Sequence, residues 1–519
     1  MNKFNLKYKD FTDFIAVYKP EGFRTHKVSE NQWGFVETLS EKIGKPLWVV
    51  HRLDKETSGI MLFAKSKESA AEISALFENH LIRKTYLLLT DRNASFKSIK
   101  ISSCIEKRDN SFHSYNASPS NSETEFEWIQ NIGSFQLWKA LPQTGKPHQI
   151  RLHAQDAGIP ILGDNEHGGT VYHRLCLHAQ NLKWTLNQTD YNLESPLPPS
   201  FCQTETGLTQ FFADQWFRLS QLYTWSPDQC FRLIDYSEQK IVADVYGTTL
   251  WVYWYRDQAP TASEIQEIQL FAKSKNINSV VRHMVNRGQG VGNKEQQQQI
   301  TLSEQQPATW WACENSLKAL LKTDGGFSPG LFLDQSENRK WVVQNSKNKN
   351  VLNLFSYTSL FSVAAGLGQA HKVTTVDASS SFLNWSKENF ILNNLDPALH
   401  EFFVQDCLLF LNGSIKRNRK WDLIICDPPS FGRTKTTVWK IEKNLPDLVQ
   451  ALWACLAHKG TLLFTCNYEN WDLDQLKDVF KRTLKGQKFK IENLPPNTMD
   501  FGFYDEKKNP TKGFFLVKD

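Results

Sequence analysis

No pair of cysteines in the 519 residues is spaced as CxxC; the nine, at 104, 176, 202, 230, 313, 407, 426, 455 and 466, are scattered. Neither a zinc site nor a disulfide framework is therefore expected, and a reducing compartment fits. No run of about 18 apolar residues occurs, so no membrane span is expected. The opening MNKFNLKYKDF carries charge throughout and has no apolar h-region, so no signal peptide is expected and a cytoplasmic protein is. Strong charge is missing too: a net +5 permits an RNA partner without demanding one. Aromatic residues are plentiful, with 17 Trp and 34 Phe. The length predicts about two to four domains.

The first chemically informative stretch is His51–Lys65, HRLDKETSGIMLFAK. It sets Asp54 in a polar turn between Arg52 and Lys55, ahead of an apolar run, Gly59–Ala64, that reads as a buried strand. Positive neighbours favour the carboxylate anion, which suits a nucleophile better than a proton donor. Taken alone, such an Asp is more often a loop residue paired with an Arg.

The whole string resembles the active-site segment of RluA-type pseudouridine synthases, with its HRLD and TSG elements before an apolar strand. Further pieces follow in order: Lys19-Pro20-Glu21-Gly22 before it, then Lys84-Thr85-Tyr86, TGKPHQIRLHAQDAGIPILGD over Thr144–Asp164, and LCLHAQNL over Leu175–Leu182. Lys146-Pro147 departs from the family's Arg-Thr. The resemblance covers about residues 10–205. It implies an α+β mixed-sheet domain needing no cofactor and no metal. Asp54 is then the catalytic carboxylate, Arg151 its ion-pair partner, and Tyr86 the ring that stacks on the extruded base and accepts a proton. His148 is either a phosphate contact or an ordinary structural residue. The resemblance starts at about residue 10, and no S4-type RNA-binding module is expected ahead of it.

Spacing predicts strands over 14–18, 86–89 and 135–141, a helix over 67–78, and a loose loop or hairpin over 105–125. The proline-rich 186–201 reads as a linker. Residues 231–255 alternate and read as a hairpin, 264–275 has helical spacing, and the Gly/Gln-rich 287–299 reads as a surface loop. This middle stretch resembles the small α+β domain preceding the catalytic domain of certain 23S rRNA methyltransferases. Trp251 and Trp254 are either base-stacking or core residues.

From 311 onward strands alternate with helices: strand 351–355, helix 360–367, strand 372–377, helix 380–392, strand 401–406, strand 421–427, helix 446–456 and strand 460–466. That order predicts a doubly wound parallel sheet with its ligand at the strand C-terminal ends. Asp377 falls 22 residues after Phe355, the spacing at which an acid meets a ribose diol. The loop FSYTSLFSVAAG lacks the G-x-G-x-x-G of a nicotinamide enzyme. The pieces GLFLDQ, LNLFSYT, TTVD, QDC and DPPSF instead resemble class I S-adenosylmethionine (SAM) methyltransferases of large-subunit rRNA, over about 313–500. The resemblance implies a Rossmann-like domain that binds SAM. Phe355, Ser356, Tyr357 and Thr358 then form the methionine loop, Asp377 binds the ribose and Asp406 the adenine. Asp427 with Pro428 and Pro429 holds the acceptor base, on which Phe431 stacks. Ser359 stands where relatives have Gly and is expected to crowd the loop. The basic Lys416, Arg417, Arg419 and Lys420 either meet phosphate or are merely solvated.

The acceptor is left between two bases. Cytosine C5 requires a thiolate, for which Cys466 in FTCNYEN is placed; guanine N7 requires none, and Asn467-Tyr468 with DPPSF favours it. The expected protein thus has three parts: 1–205 a pseudouridine synthase, 206–310 a small α+β domain, and 311–519 a Rossmann-like methyltransferase. Its expected partner is RNA, foremost 23S rRNA. The alternatives are a C-terminal half reduced to RNA binding, and a methyltransferase for small molecules.

Overall fold

The computed structural model describes residues 5–27, 33–109, 111–202, 207–235, 239–284, 300–303, 305–326, 328–433, 438–495, 498–501 and 511–519. The expected loop 287–299 lies outside them. The chain forms two compact units: Phe4–Trp225 with Pro260–Lys275, and Ser226–Ala259 with Asn276–Asp519. The expected middle segment, 206–310, is shared between them. No described helix is long and apolar enough to cross a membrane.

The first unit is built on one mixed sheet. Its main strands are β1 (Phe14–Lys19), β2 (Ser58–Ala64), β3 (Arg83–Thr90), β4 (Ser98–Arg108), β5 (Ser111–Tyr115), β6 (Ser122–Ile132), β7 (Phe135–Pro142), β8 (Leu177–Leu186) and β9 (Thr189–Glu194). They lie in the order β1-β2-β8-β3-β7-β6-β4-β5, with β9 on β8. Only β2 and β8 pair in parallel, setting Ser58 beside His178. Every residue of β2 is buried, as its unbroken apolar run requires of a strand covered on both faces. Each large side chain so buried contributes roughly 1.5–3 kcal/mol. Helices α1 (Phe35–Ile43), α2 (Lys67–Glu78) and α3 (Gln149–Asp156) belong to this unit. Ser66 caps α2, its Oγ accepting from Ser69 N.

One expectation is met and one changes here. Of the loop or hairpin expected over 105–125 the hairpin forms, β4 with β5, and β6 extends it into a ladder where Ser103 and Ser122 are buried partners. The presumed linker 186–201 contains β9, and Leu193 and Phe201 are core residues. Helices α4 (Gly207–Leu222) and α5 (Ala262–Ser274) complete the unit, and Glu267 of α5 accepts from Leu208 N at 2.7 Å to cap α4.

The second unit begins with a sheet of β10 (Cys230–Ile234), β11 (Ile241–Tyr246), β12 (Thr249–Trp254), β13 (Asn278–His283) and β14 (Ile300–Leu302), in that order. The expected hairpin is thus three strands. Trp251 and Trp254 are 0% and 1% exposed, so both are core and not free to stack on bases. A hairpin, β15 (Thr309–Glu314) and β16 (Leu317–Lys322), leads to α6 (Ser336–Asn345).

The larger sheet then follows: β17 (Asn350–Leu354), α7 (Leu360–Leu367), β18 (Lys372–Asp377), α8 (Ser380–Leu392), β19 (Glu401–Val404), α9 (Cys407–Lys416) and β20 (Trp421–Cys426). After a short hairpin, β21 (Phe431–Arg433) with β22 (Val438–Lys440), come α10 (Ile441–Cys455), β23 (Leu456–Cys466), α11 (Leu473–Thr483), β24 (Phe489–Asn493) and β25 (Lys512–Lys518). The order is β19-β18-β17-β20-β23-β25-β24, with β25 alone antiparallel to the rest. The strand order reverses between β17 and β20, where a doubly wound sheet opens a crevice at its C-terminal edge. Helix α10 starts at Ile441, five residues before Pro446, which it carries inside.

Candidate active sites

In the first unit the turn after His51 is clamped from behind. The Lys19 ammonium, 0% exposed, donates to Pro20 O, Lys55 O and Thr57 O at 3.0, 3.1 and 2.7 Å. Those three acceptors match the three N–H groups of the charged form. Burial pulls Lys19 down to about 7, against the pull of Glu56, Glu21 and Asp54. Thr25 Oγ1 donates to Leu53 O at 3.1 Å. Asp54, held between these anchors, faces a cavity of about 480 Å³.

Tyr86 on β3 and Arg151 on α3 line the same cavity, so the three sequence-derived residues converge. Burial, and then the charge of Asp54, raise the Tyr86 phenol well above its ordinary value, so it stays protonated. The expected direct ion pair is not formed: among the described residues no ion pair links Arg151 to Asp54. Instead Arg151 makes a bidentate bridge to Asp164, Nε to Oδ2 at 2.7 Å and Nη2 to Oδ1 at 2.6 Å, and Nη2 also reaches Glu166 at 2.8 Å. Asp164 wins because its carboxylate is fully buried and matches the planar fork of the guanidinium. Burial opposes the Arg151 charge, but Asp164, with Asp54 and Glu166, outweighs it and the net shift is upward. Asp54 therefore acts on Arg151 through its field.

His148, at the cap of α3 with φ 54°, lies 3.0 Å from His167 and 3.3 Å from Arg151 Nη1. Glu166 completes a His148–Glu166–His167 group, but it is already engaged by the guanidinium, which disfavours a cation there. His51 stacks on Phe77, accepts from Leu62 N at 3.0 Å and is pushed down to about 3 by burial, with Lys84 adding to the effect; it is a structural residue. Sequence reasoning missed the carbonyl clamp of Lys19 and the bridge to Asp164, although both residues sit inside the quoted motifs.

In the second unit the crevice is a cavity of about 580 Å³, lined by all seven expected cofactor residues. The loop after β17 alternates through left-handed backbone at Phe355, Tyr357 and Ser359 (φ 54°, 48° and 63°), strain of a kind that concentrates at ligand sites. The loop is tied down: Tyr357 N donates to Asp377 Oδ2 at 2.9 Å, and Thr358 Oγ1 to Gly330 O at 2.6 Å. Ser379 N donates to Asp377 Oδ1 at 2.9 Å. Burial nevertheless raises Asp377 above the ordinary range, with those amides opposing. Asp406 Oδ1 accepts from Leu408 N and Leu409 N, capping α9.

These residues fit SAM. Asp377 retains lone pairs for a diol, and the Ser356 hydroxyl in the cavity wall is buried without a hydrogen-bond partner. Ser359 does not crowd the site: its hydroxyl is buried, turned toward Ser386, and outside the cavity wall.

Asp427, Pro428 and Pro429, the residues expected at the acceptor base, also line this cavity. Asp427 is pushed up to about 6 by burial and by the charge of Asp334, against Thr465 and Arg339. Phe431 is 60% exposed and outside the cavity wall. The ring at this mouth is Trp439, packed 5.4 Å from Phe355 and donating to Pro429 O at 2.6 Å. Trp439 sits on the three-residue strand β22, and an isolated Trp on so short a strand gives no signal in sequence. Of the basic run, Arg419 pairs with Glu401 at 2.5 Å and Lys420 bonds Ala454 O.

A model of the RNA pseudouridylate synthase family matches residues 13–156, and a model of S-adenosylmethionine-dependent methyltransferases matches residues 235–502. The chain is 38% identical over 199 residues to the ribosomal RNA large subunit methyltransferase K/L of Shewanella oneidensis, covering 38% of this chain and 26% of the relative. It is 32% identical over 287 residues to that of Pseudoalteromonas atlantica, covering 51% and 40%. The chain thus spans well under half the length of these relatives. In fold it is similar to a SAM-dependent methyltransferase from Streptococcus mutans, with a TM-score of 0.50 and 22% identity over 65% of this chain and 87% of that one. A second such structure, complexed with SAH, matches at TM-score 0.50 and 23% identity, with the same coverage.

Proposed function

Starting from a chain that belongs to the S-adenosylmethionine-dependent methyltransferase family and carries an RNA pseudouridylate synthase domain ahead of that half, we propose that it modifies 23S rRNA twice in the cytoplasm. The synthase half isomerises uridine; the other half methylates guanine at N7. The synthase half is residues 1–205 extended by α4 and α5, and the methyltransferase half is the second unit, in which the small sheet of β10–β14 precedes the larger one.

In the synthase half, Asp54 is the carboxylate that engages the uridine. The clamp of Lys19 and Thr25 holds it at the cavity, and Arg151, locked by Asp164, supplies a fixed positive field beside it. Tyr86 packs on the flipped base, and its neutral phenol keeps charge away from Asp54.

In the other half, SAM when bound supplies an electrophilic methyl group. Asp377 holds the ribose, Asp406 the adenine, and Phe355–Thr358 the methionine end. Asp427, Pro428 and Pro429 grip the base, with Trp439 as the aromatic contact at the mouth and the exposed Phe431 outside it; alignment then supplies much of the rate.

The observation that carries N7 over cytosine C5 is the state of Cys466. It is 2% exposed, lies outside the cavity wall, and accepts from Tyr468 N. Burial pushes its thiol up to about 11, so it is no ready nucleophile. Neighbouring Asn467 does line the cavity.

The test is mass spectrometry of nucleosides from undermodified 23S rRNA incubated with the protein and SAM. Pseudouridine with 7-methylguanosine is expected. Pseudouridine with 5-methylcytidine overturns the N7 assignment, and pseudouridine alone overturns rRNA methylation by the second half.

A further inference from the structure

Behind the Asp54 turn lies a buried charged layer that neither proposed reaction uses. Arg174, buried ahead of β8, donates from Nη2 to Ser58 Oγ at 2.6 Å, and that hydroxyl also lies 2.9 Å from His178 Nδ1. Ser58 opens β2, directly after the Asp54–Thr57 turn closed by Thr57 N to Asp54 O at 3.2 Å. Arg174 also faces Glu21 at 3.6 Å.

The second carboxylate of this layer comes from elsewhere in the chain. Asp214, 0% exposed, lies on α4, well past residue 156 where the synthase family match ends. Its Oδ2 lies 2.7 Å from His173 Nε2; its Oδ1 accepts from Ser200 N at 3.0 Å and Gln210 Nε2 at 3.3 Å. Its charge acts on Arg174, next to His173 in the chain. Phe217, on the same helix, packs against Tyr18 of β1 at 5.8 Å, next to Lys19, which clamps the turn.

A buried guanidinium keeps one orientation only while its counter-charges hold it. Here one counter-charge is supplied by a helix that follows the synthase sheet. We infer that α4 is a working part of the synthase: Asp214, through His173 and Arg174, is a positioning residue that sets the Ser58 end of the turn carrying Asp54. This rests on the reading of Asp54 as the catalytic carboxylate, which the D54N control tests separately.

The test uses the full chain with unmodified 23S rRNA transcript as probe. D214N is expected to lower kcat for pseudouridine at least tenfold with KM within twofold, to speed amide exchange over 54–58, and to leave methyl transfer unchanged. S58A cuts the same link from the turn side, so its loss should match that of D214N, and the double variant should be no worse than either alone. D214E, which keeps the carboxylate, should recover part of the rate. D214N with a lowered melting temperature but wild-type kcat and 54–58 exchange makes α4 a structural prop only and overturns the inference. If D214N does not fold, S58A decides: a wild-type kcat in S58A overturns it equally. A D54N enzyme that still forms pseudouridine overturns the Asp54 reading instead.

Discussion

The two sites solve opposite problems. In the synthase cavity the proposed reactive groups are side chains, and the fold is spent on holding charges: a buried ammonium on three carbonyls and a guanidinium locked to a buried carboxylate, with Asp54 in the same cavity wall as that guanidinium. In the methyltransferase crevice the acids serve backbone first, Asp377 accepting from two amides and Asp406 from two more. There the electrophile arrives with the cofactor, so the protein needs shape more than a tuned nucleophile. The difference teaches that one substitution should silence the synthase while the transferase yields in steps.

The sharpest test is Asp54→Asn, which should lower pseudouridine formation by about a thousandfold or more while methyl transfer is unchanged. Nucleoside mass spectrometry reads both products, and equal loss of both would dissolve the two-site comparison. Next is Asp377→Ala. Losing a charged acceptor for the ribose should weaken SAM binding by ~1.5–3 kcal/mol, about 10- to 150-fold. Calorimetry measures it, and a pseudouridine rate that moved in parallel would contradict independent sites.

A smaller effect is expected from pH. Guanine methylated at N7 becomes cationic, so the Asp427 anion favours the product-like transition state. Because Asp427 is raised to about 6, lowering the pH through that value protonates it and removes the charge. Single-turnover methyl transfer should then fall toward about tenfold per pH unit on the acid side. A profile flat from pH 5 to 8 would remove Asp427 from the reaction. Smallest is Ser359→Gly. Relief of left-handed strain, roughly 1–2 kcal/mol, is set against loss of the Ser386 hydrogen bond, roughly 1 kcal/mol. Stability should change by less than about 1 kcal/mol, net of both, and SAM affinity should stay within twofold; thermal melts and calorimetry check both.

Much of this was legible in one dimension because the informative residues are local. Helices 67–78, 360–367 and 380–392 carry their own periodicity, and 67–78 and 380–392 their own Ser caps as well, so they match expectation to the residue. HRLD and DPPSF are contiguous strings on turns at strand ends, where a motif and its site coincide. Over 98–132 the sequence left loop and hairpin open, since Ser, Lys and Glu interrupt the apolar alternation, and pairing across the sheet decides for strands.

The sequence by itself determined which groups are available, in which order, and that the motifs of two families share the chain. Only the tertiary structure decided which partner each group takes. Arg151 has several acids within motif distance, and a buried, planar match selects Asp164. Ser359 was expected to crowd the cofactor loop, yet its hydroxyl is received beside Ser386. Cys466 carries the right atom for cytosine chemistry, and burial withholds it. Charge, exposure and orientation depend on residues far apart in the chain, and folding alone brings those together.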